Sequence, residues 1–335
     1  MDRMSWWASP AAGGLGYIVL AAVVLALGDG LVKIVSHTVS VWQLIFIRSV
    51  VALPLLWVLL LTRRAPLARR TKNLGWLGLR SVLLVAMWIL VYLALTQLSL
   101  PSVSAALYSA PVLITVMSAL APGRRLGRGE IGAVALGFVG VLVLLRPGTS
   151  AFSPMLILPL VGAVFYALAA MLTASHCREE SPLLMALGVH MVFLFAGLLG
   201  LLGTSVVSLP ASWQESAPFV ATGWHTLSIP ALAEVAPIVV ALAVIAVVAS
   251  AAMARAYQMA PAPLVAAGDY SYLVFSALWS LLLFSHVPDL WAIGGMLMIA
   301  VAGVCATGGG SPGAARVPRA RHAALRGRGA SMSAS

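Results

Sequence analysis

The chain has 335 residues, 61% of them hydrophobic and only 9% charged, with a formal net charge of +11 and a mean hydropathy of +1.03. Soluble domains are roughly half apolar and about a quarter charged, so this composition excludes a water-soluble enzyme and defines a polytopic membrane protein. The positive charge does not indicate nucleic acid, because it lies in short runs between apolar blocks, where Lys and Arg orient helices and meet anionic headgroups of the bilayer.

Crossing a bilayer takes about 20 apolar residues in a helix. Hydropathy sets ten such spans, at 15–36, 41–61, 75–97, 100–121, 129–146, 153–173, 182–205, 231–254, 262–284 and 288–307. The expected fold class is therefore all-α and polytopic, with ten transmembrane helices. Residues 1–14 form the segment before the first span. That span resembles the apolar region of a signal peptide, but Asp29 and Lys33 interrupt it and no small-residue cleavage site follows, so it is expected to be retained. Ten spans leave both termini on one side. Arg3, the run Arg63, Arg64, Arg69, Arg70 and Lys72, the trio Arg124, Arg125 and Arg128, then Arg178 and Arg255 all fall there, and the tail adds further arginines. Only Lys33 and Arg146 lie near helix ends on the other side, so the positive-inside rule sets both termini in the cytoplasm of a cell whose inner membrane the chain spans. Cys177 and Cys305 then belong to the cytoplasmic half, where thiols stay reduced and no disulfide is expected. The longest extracytoplasmic loop, 206–230, carries Trp213, Trp224 and His225 and reads as interfacial rather than as an eleventh span. Residues 308–335, rich in Gly, Ala, Ser and Arg, read as a disordered basic cytoplasmic tail.

An internal repeat organises the spans. Shifting the second half by 162 positions without a gap matches Ala94 with Ala256, Pro101 with Pro263, Val103 with Val265, Tyr108 with Tyr270, Ser109 with Ser271, Ile131 with Ile293 and Gly132 with Gly294. Two units follow, residues 15–148 and 149–307, each with five spans. An odd number inserts the second unit upside down relative to the first, the inverted-repeat arrangement of secondary transporters, with a binding site near the midplane.

The stretch from Leu79 to Gly148, with its second copy from Ala254 to Val304 containing PxPLVAAGDYSYLVFSALW and PDLWAIGG, resembles the EamA-type domains of the drug/metabolite transporter (DMT) superfamily. The resemblance runs from Gly16 to Thr307. It implies two inverted five-helix repeats and secondary transport of a small molecule, with amino-acid derivatives, nucleotide-like metabolites, vitamins, sugars and drugs as the range of cargo. In one respect the chain departs from that pattern. Members of the family often carry Glu in the turns after the fourth and ninth helices, where this chain has Arg124 and His286, so the capping or gating contacts of those carboxylates have no acidic counterpart here.

Ionisable groups inside a membrane cost several kcal/mol and call for a partner or a function. Asp29 and Lys33 are four residues apart on one helical face, which suits either a self-compensating pair with Lys33 reaching the headgroups or a role in ion coupling or gating. The order Asp29, Lys33, then a buried Arg48 resembles a signature of an EamA-type subgroup that includes S-adenosylmethionine and vitamin carriers. Arg48 lies well inside the second span, where its permanent charge suits recognition of an anion or carboxylate, or an ion pair with Asp29. His190 falls near the position corresponding to Arg48 in the second unit, as a packing or a gating residue. Arg80 lies about one turn inside the cytoplasmic boundary of its span, as a snorkelling residue or as one that contacts substrate or gates. The densest polar cluster is Asp269, Tyr270, Ser271 and Tyr272, mirrored by Tyr108, Ser109 and Pro111; Arg48, Tyr108, Ser109, Asp269, Tyr270 and Ser271 are the candidate substrate-binding residues, helix packing being the alternative for Tyr108 and Tyr270. Pro111 removes a backbone donor and Gly268 permits close approach, so both helices carry sites for distortion beside polar side chains.

No G-x-x-x-x-G-K-[ST] motif is present, so an ion gradient or exchange must drive transport, with proton coupling through Asp29 or Asp269 as the expectation. Glu234 reads as interfacial. No metal or cofactor is called for. The leading reading is a secondary active transporter of a small amphipathic or zwitterionic metabolite, such as an amino-acid derivative or an S-adenosylmethionine-like or vitamin-like compound, moved by alternating access. An intramembrane enzyme and a non-transporting receptor or scaffold are the alternatives; the first lacks metal spacing and a G-x-S-x-G turn, and the inverted duplication argues against the second. Import versus export and the oligomeric state are left open by these features.

Overall fold

The computed structural model describes residues 10–62, 73–95, 98, 100–119, 128–146, 153–207, 210–216, 218–285 and 289–308. The segment before Pro10, the basic run 63–72, Arg124, Arg125, His286 and the tail beyond Gly308 lie outside the described residues. The helices are α1 (Pro10–Val35), α2 (Val41–Thr62), α3 (Leu74–Leu95), α4 (Leu100–Leu107), α5 (Ala110–Ala119), α6 (Arg128–Leu145), α7 (Ile157–Ser175), α8 (Pro182–Val206), α9 (Ala211–Ser216), α10 (Pro218–Ala221), α11 (Ile229–Met259), α12 (Ala262–Asp269), α13 (Ser271–Phe284) and α14 (Leu290–Gly308). No strand occurs among the described residues.

Seven segments are long and apolar enough to cross a membrane: α1, α2, α3 to Ala94, α7, α8, α11, and α12 with α13 taken together. These correspond to seven of the ten expected spans. The fourth is divided into α4 and α5, the fifth is α6 with its apolar stretch Ile131–Val143, and the tenth is α14. The segment expected to be interfacial holds α9 and α10, of 6 and 4 residues, neither long enough to cross.

Both expected distortions occur where the sequence puts them. Pro111 has no N–H to offer the carbonyl of Leu107, so α4 ends there and its last turn tightens, with Ser109 N–H donating to Ala106 O at 3.2 Å. The corresponding break in the second half falls at Tyr270, between α12 and α13. A shift of 162 positions carries Leu100–Leu107 onto Ala262–Asp269, residue for residue.

In lipid, helices associate by close packing and polar contacts, which favours small residues where backbones meet. The closest partners are α1 with α11, α2 with α8, α3 with α7, and α6 with α14. Gly197 and Gly200 of α8 lie against Phe46 and Trp42 of α2, and Gly188 of the same helix lies against Leu77 and Ser81 of α3. The starts of α2 and α3 are therefore at opposite ends of α8. At one end Trp42 Nε1 donates to Val220 O at 2.8 Å, and Gln43 exchanges two hydrogen bonds with the His225 backbone, at 3.0 and 3.1 Å. At the other end Asn73 Nδ2 donates to His176 O at 2.9 Å, and Gln258 Nε2 donates to Cys177 O and Glu180 O at 3.1 and 2.6 Å.

Candidate functional site: a charged cavity between the halves

Inside the bundle lies a cavity with about 1240 Å³ of space between its atoms, the open solvent at its mouth included, walled by α1, α2, α3, α4, α5, α7, α8, α11, α12 and α13. Most of its wall is apolar or aromatic, and a few polar groups converge on it, the general form of a small-molecule site. Of the sequence candidates, Asp29, Arg48, Arg80, Tyr108, His190 and Asp269 line it. Five of these are almost fully buried, Arg80 at 2% and Asp269 at 4% exposed, and Asp29 is half-buried.

The two carboxyl groups are each met by a tyrosine. Tyr166 OH donates to Asp269 Oδ2 at 2.6 Å, and Tyr272 OH donates to Asp29 Oδ2. The expected pairing of Asp29 with Lys33 does not form: Lys33 is exposed, with Nζ 4.7 Å from the centroid of Phe284. Nor does an ion pair join Asp29 to Arg48 among the described residues. Both side chains meet α13, but at opposite ends of it: Asp29 takes Tyr272 near its start, whereas Lys33, one turn further along α1, lies over Phe284 at its end. Arg48 stacks its guanidinium 4.7 Å above the Phe193 ring, and its Nε is buried without a hydrogen-bond partner. Both ring nitrogens of His190 are likewise buried and unpartnered. Arg80 does not snorkel; its Nε donates to Thr173 Oγ1 at 2.6 Å.

The helix break of α4 and α5 delivers Tyr108 to the cavity, where it stacks on Tyr272 with ring centroids 4.9 Å apart and planes 18° apart. The remaining candidates lie beside the cavity, outside its lining. Tyr270 sits in a smaller cleft with Pro111, Thr115 and Ala133, its ring 6.4 Å from that of Tyr108. Ser109 Oγ donates to Ala106 O at 2.8 Å within its own helix break, and Ser271 Oγ is buried without a partner. Tyr272 belongs to the polar cluster read from the sequence, whereas the wall residues Tyr166, Tyr92 and Trp88 escaped that reading. Tyr166 had a signal, because with Thr173 it is the only polar side chain between Ile157 and Thr173, and a spacing of seven puts both on one face.

A helical membrane protein with a mostly apolar cavity on which a few polar groups converge has the general form of a small-molecule site. Residues 12–146 match the EamA-like transporter family. The pseudopaline exporter CntI of Pseudomonas aeruginosa, in strains UCBPP-PA14 and PAO1, is 27% identical over 294 residues, which cover 86% of this chain and 94% of the exporter. The riboflavin transporter of Vibrio cholerae is 26% identical over 240 residues, 70% of this chain and 72% of that protein. A crystal structure 18% identical in sequence superposes with a TM-score of 0.63 over 89% of this chain and 96% of its own, which establishes the fold alone.

Proposed function

We propose that the chain is a secondary active transporter of a small amphipathic or zwitterionic metabolite, of the amino-acid-derivative, S-adenosylmethionine-like or vitamin-like kind. It carries this cargo across the inner membrane by alternating access, with both termini cytoplasmic. The single observation behind this reading is the charge pattern of the cavity. Two buried cations, Arg48 and Arg80, and two carboxyl groups, Asp29 and Asp269, share one largely apolar enclosure with several aromatic rings. A ligand bearing both signs and a flat apolar body matches it, the anion on Arg48 and the cation toward the carboxyl groups.

Alternating access needs two halves that can exchange conformations. Three features support the inverted halves 15–148 and 149–307: the 162-residue register of the helix breaks, the pairing of α1 with α11 beside the equivalent pairing of α3 with α7, and the pairing of α6 with α14. The cargo named for each relative, pseudopaline and riboflavin, is too unlike to transfer at this identity, so the cavity chemistry decides the class. In this reading Arg48, Tyr108 and Asp269 bind substrate with Tyr270, Ser109 and Ser271 shaping the distorted helices around them. Asp29, His190 and Arg80 couple or gate, and the proton is the coupling ion.

The test is counterflow by the purified chain in proteoliposomes, with radiolabelled amino-acid derivatives, S-adenosylmethionine and riboflavin as probes, with and without an imposed proton gradient. Saturable counterflow of a zwitterion that is lost in Arg48→Ala and Asp269→Asn is the expected result. Correctly inserted variants that transport at the wild-type rate would remove these residues from the site, and transport indifferent to the gradient would remove the proton.

A further inference from the structure

The cavity holds a second guanidinium, and its setting differs from that of Arg48. Arg80 Nε is held by Thr173 Oγ1, and that hydroxyl is itself fixed by donating to Ala169 O at 2.8 Å. The plane of the guanidinium is thereby set, yet Nη1, buried in a residue that lines the cavity, has no partner. Neither carboxyl group forms an ion pair with it among the described residues; each takes a tyrosine hydroxyl instead. Helix α8 shows that the two arginines come from different levels of the bundle. Leu77 and Ser81, on either side of Arg80, touch it at Gly188, whereas Arg48 rests on Phe193. Five residue rises of about 1.5 Å separate those levels by about 8 Å along the bundle.

An uncompensated buried charge is costly in protein and more so in a membrane, so a fixed guanidinium with a free fork edge is a receptor for an anion. We propose that Arg80 is a second anion-recognition residue, so that the cargo carries two separate carboxylates, one bound by Arg48 and the other by Arg80, with an amine between them facing Asp29 and Asp269. Thr173 is a positioning residue that aims the Arg80 fork. This narrows the cargo class within the carrier reading above and rests on it.

The test is ligand-induced thermal stabilisation of the purified full-length chain, titrated with 2-aminosuberate, an amino diacid of suitable reach, and with its ω-amide, which has the same shape without the second charge. Wild type is expected to bind the diacid roughly tenfold or more tightly than the amide, the scale of one buried charge-assisted contact. Arg80→Gln abolishes that preference and leaves amide affinity unchanged, whereas Arg48→Gln weakens both. Thr173→Val, close in volume and leaving the charge intact, reduces the preference, and supplies the result if Arg80→Gln does not fold. Equal affinity of wild type for diacid and amide, or a preference retained in Arg80→Gln or Thr173→Val, overturns the proposal. Where wild type still gives saturable counterflow of another zwitterion, the carrier reading survives that outcome; absence of both binding and counterflow sinks the two together.

Discussion

Gly197 is the position where a single methyl group tests how the bundle holds its site. A Cβ built there would lie 2.9 Å from both the Cβ and the backbone N of Phe46, and 3.0 Å from its Cα, where ordinary contact begins at 3.4 Å. The obstacle includes backbone, so no side chain can rotate away, and α2 must retreat from α8 by about half an ångström. Overpacking of this kind costs about 1–3 kcal/mol. Arg48 follows Phe46 by two residues and rests on Phe193, one turn below Gly197, so the same retreat separates the cation from its aromatic seat. Gly203 on the same helix is the control, with nothing within 4 Å of its Cβ position. There alanine gains up to about 1 kcal/mol of helix propensity. Thermal unfolding of the purified protein in detergent should rank Gly203→Ala at or above wild type and Gly197→Ala clearly below it, with transport impaired in the second variant alone. Equal melting temperatures for the two variants would refute the claim that close backbone approach holds α2 against α8.

Other expectations follow from the contacts around the cavity. Loss of a hydrogen bond to a charged group costs about 1.5–3 kcal/mol, so Tyr166→Phe should slow transport roughly tenfold or more, and adding it to Asp269→Asn should cost little further; additive losses in that double-mutant cycle would separate the two residues. Lys33→Gln should leave transport near wild type in the counterflow assay while Asp29→Asn impairs it, because Asp29 bonds Tyr272 inside the cavity and Lys33 lies outside it over Phe284. Cys177 lies in the turn between α7 and α8, where burial pushes its thiol above the ordinary value against the opposing effect of Arg80. A raised value means less thiolate at pH 8, so maleimide should label Cys177 more slowly than a free thiol, and Gln258→Ala, which removes the hydrogen bonds to Cys177 O and Glu180 O, should accelerate labelling.

The all-helical fold was legible because lipid imposes a simple rule: every crossing segment must be apolar for its whole length and satisfy its own backbone. The two helix breaks were legible for an equally local reason, a missing N–H at Pro111 and a repeat register that carries Tyr108 onto Tyr270. Side-chain direction was not. Tyr108 faces the cavity and Tyr270, its repeat equivalent, a neighbouring cleft, since a helix break can send its next side chain to either side. Asp29 and Lys33 fit a pair by spacing, but spacing contains no information about the partner helix, and Tyr272 takes the carboxyl group. Tyr166 and Thr173 escaped notice as site residues because a hydroxyl costs little in a span, whereas a charge there demands explanation.

Without a hydrophobic driving force between them, membrane helices are held by close packing and by polar contacts that add to it. Among the described residues, the side-chain bonds that join residues before 148 to those after it include Trp42 and Gln43 with the 220–225 backbone, Arg80 with Thr173, Asp29 with Tyr272, Trp279 with Val23 O, Asn73 with His176, and Arg146 with Asp289. Interhelical hydrogen bonds in a membrane bundle average about 0.6 kcal/mol each. In the alternating-access cycle proposed above, breaking the three bonds that Trp42 and Gln43 make would require on the order of 2 kcal/mol, equivalent to a differential affinity of about 30-fold between two states. A ligand that engages one buried arginine in one state and not in the other supplies that difference by itself. For this reason a cavity with so few polar anchors is sufficient for a carrier: the same guanidinium that recognises the cargo can tip the equilibrium that moves it.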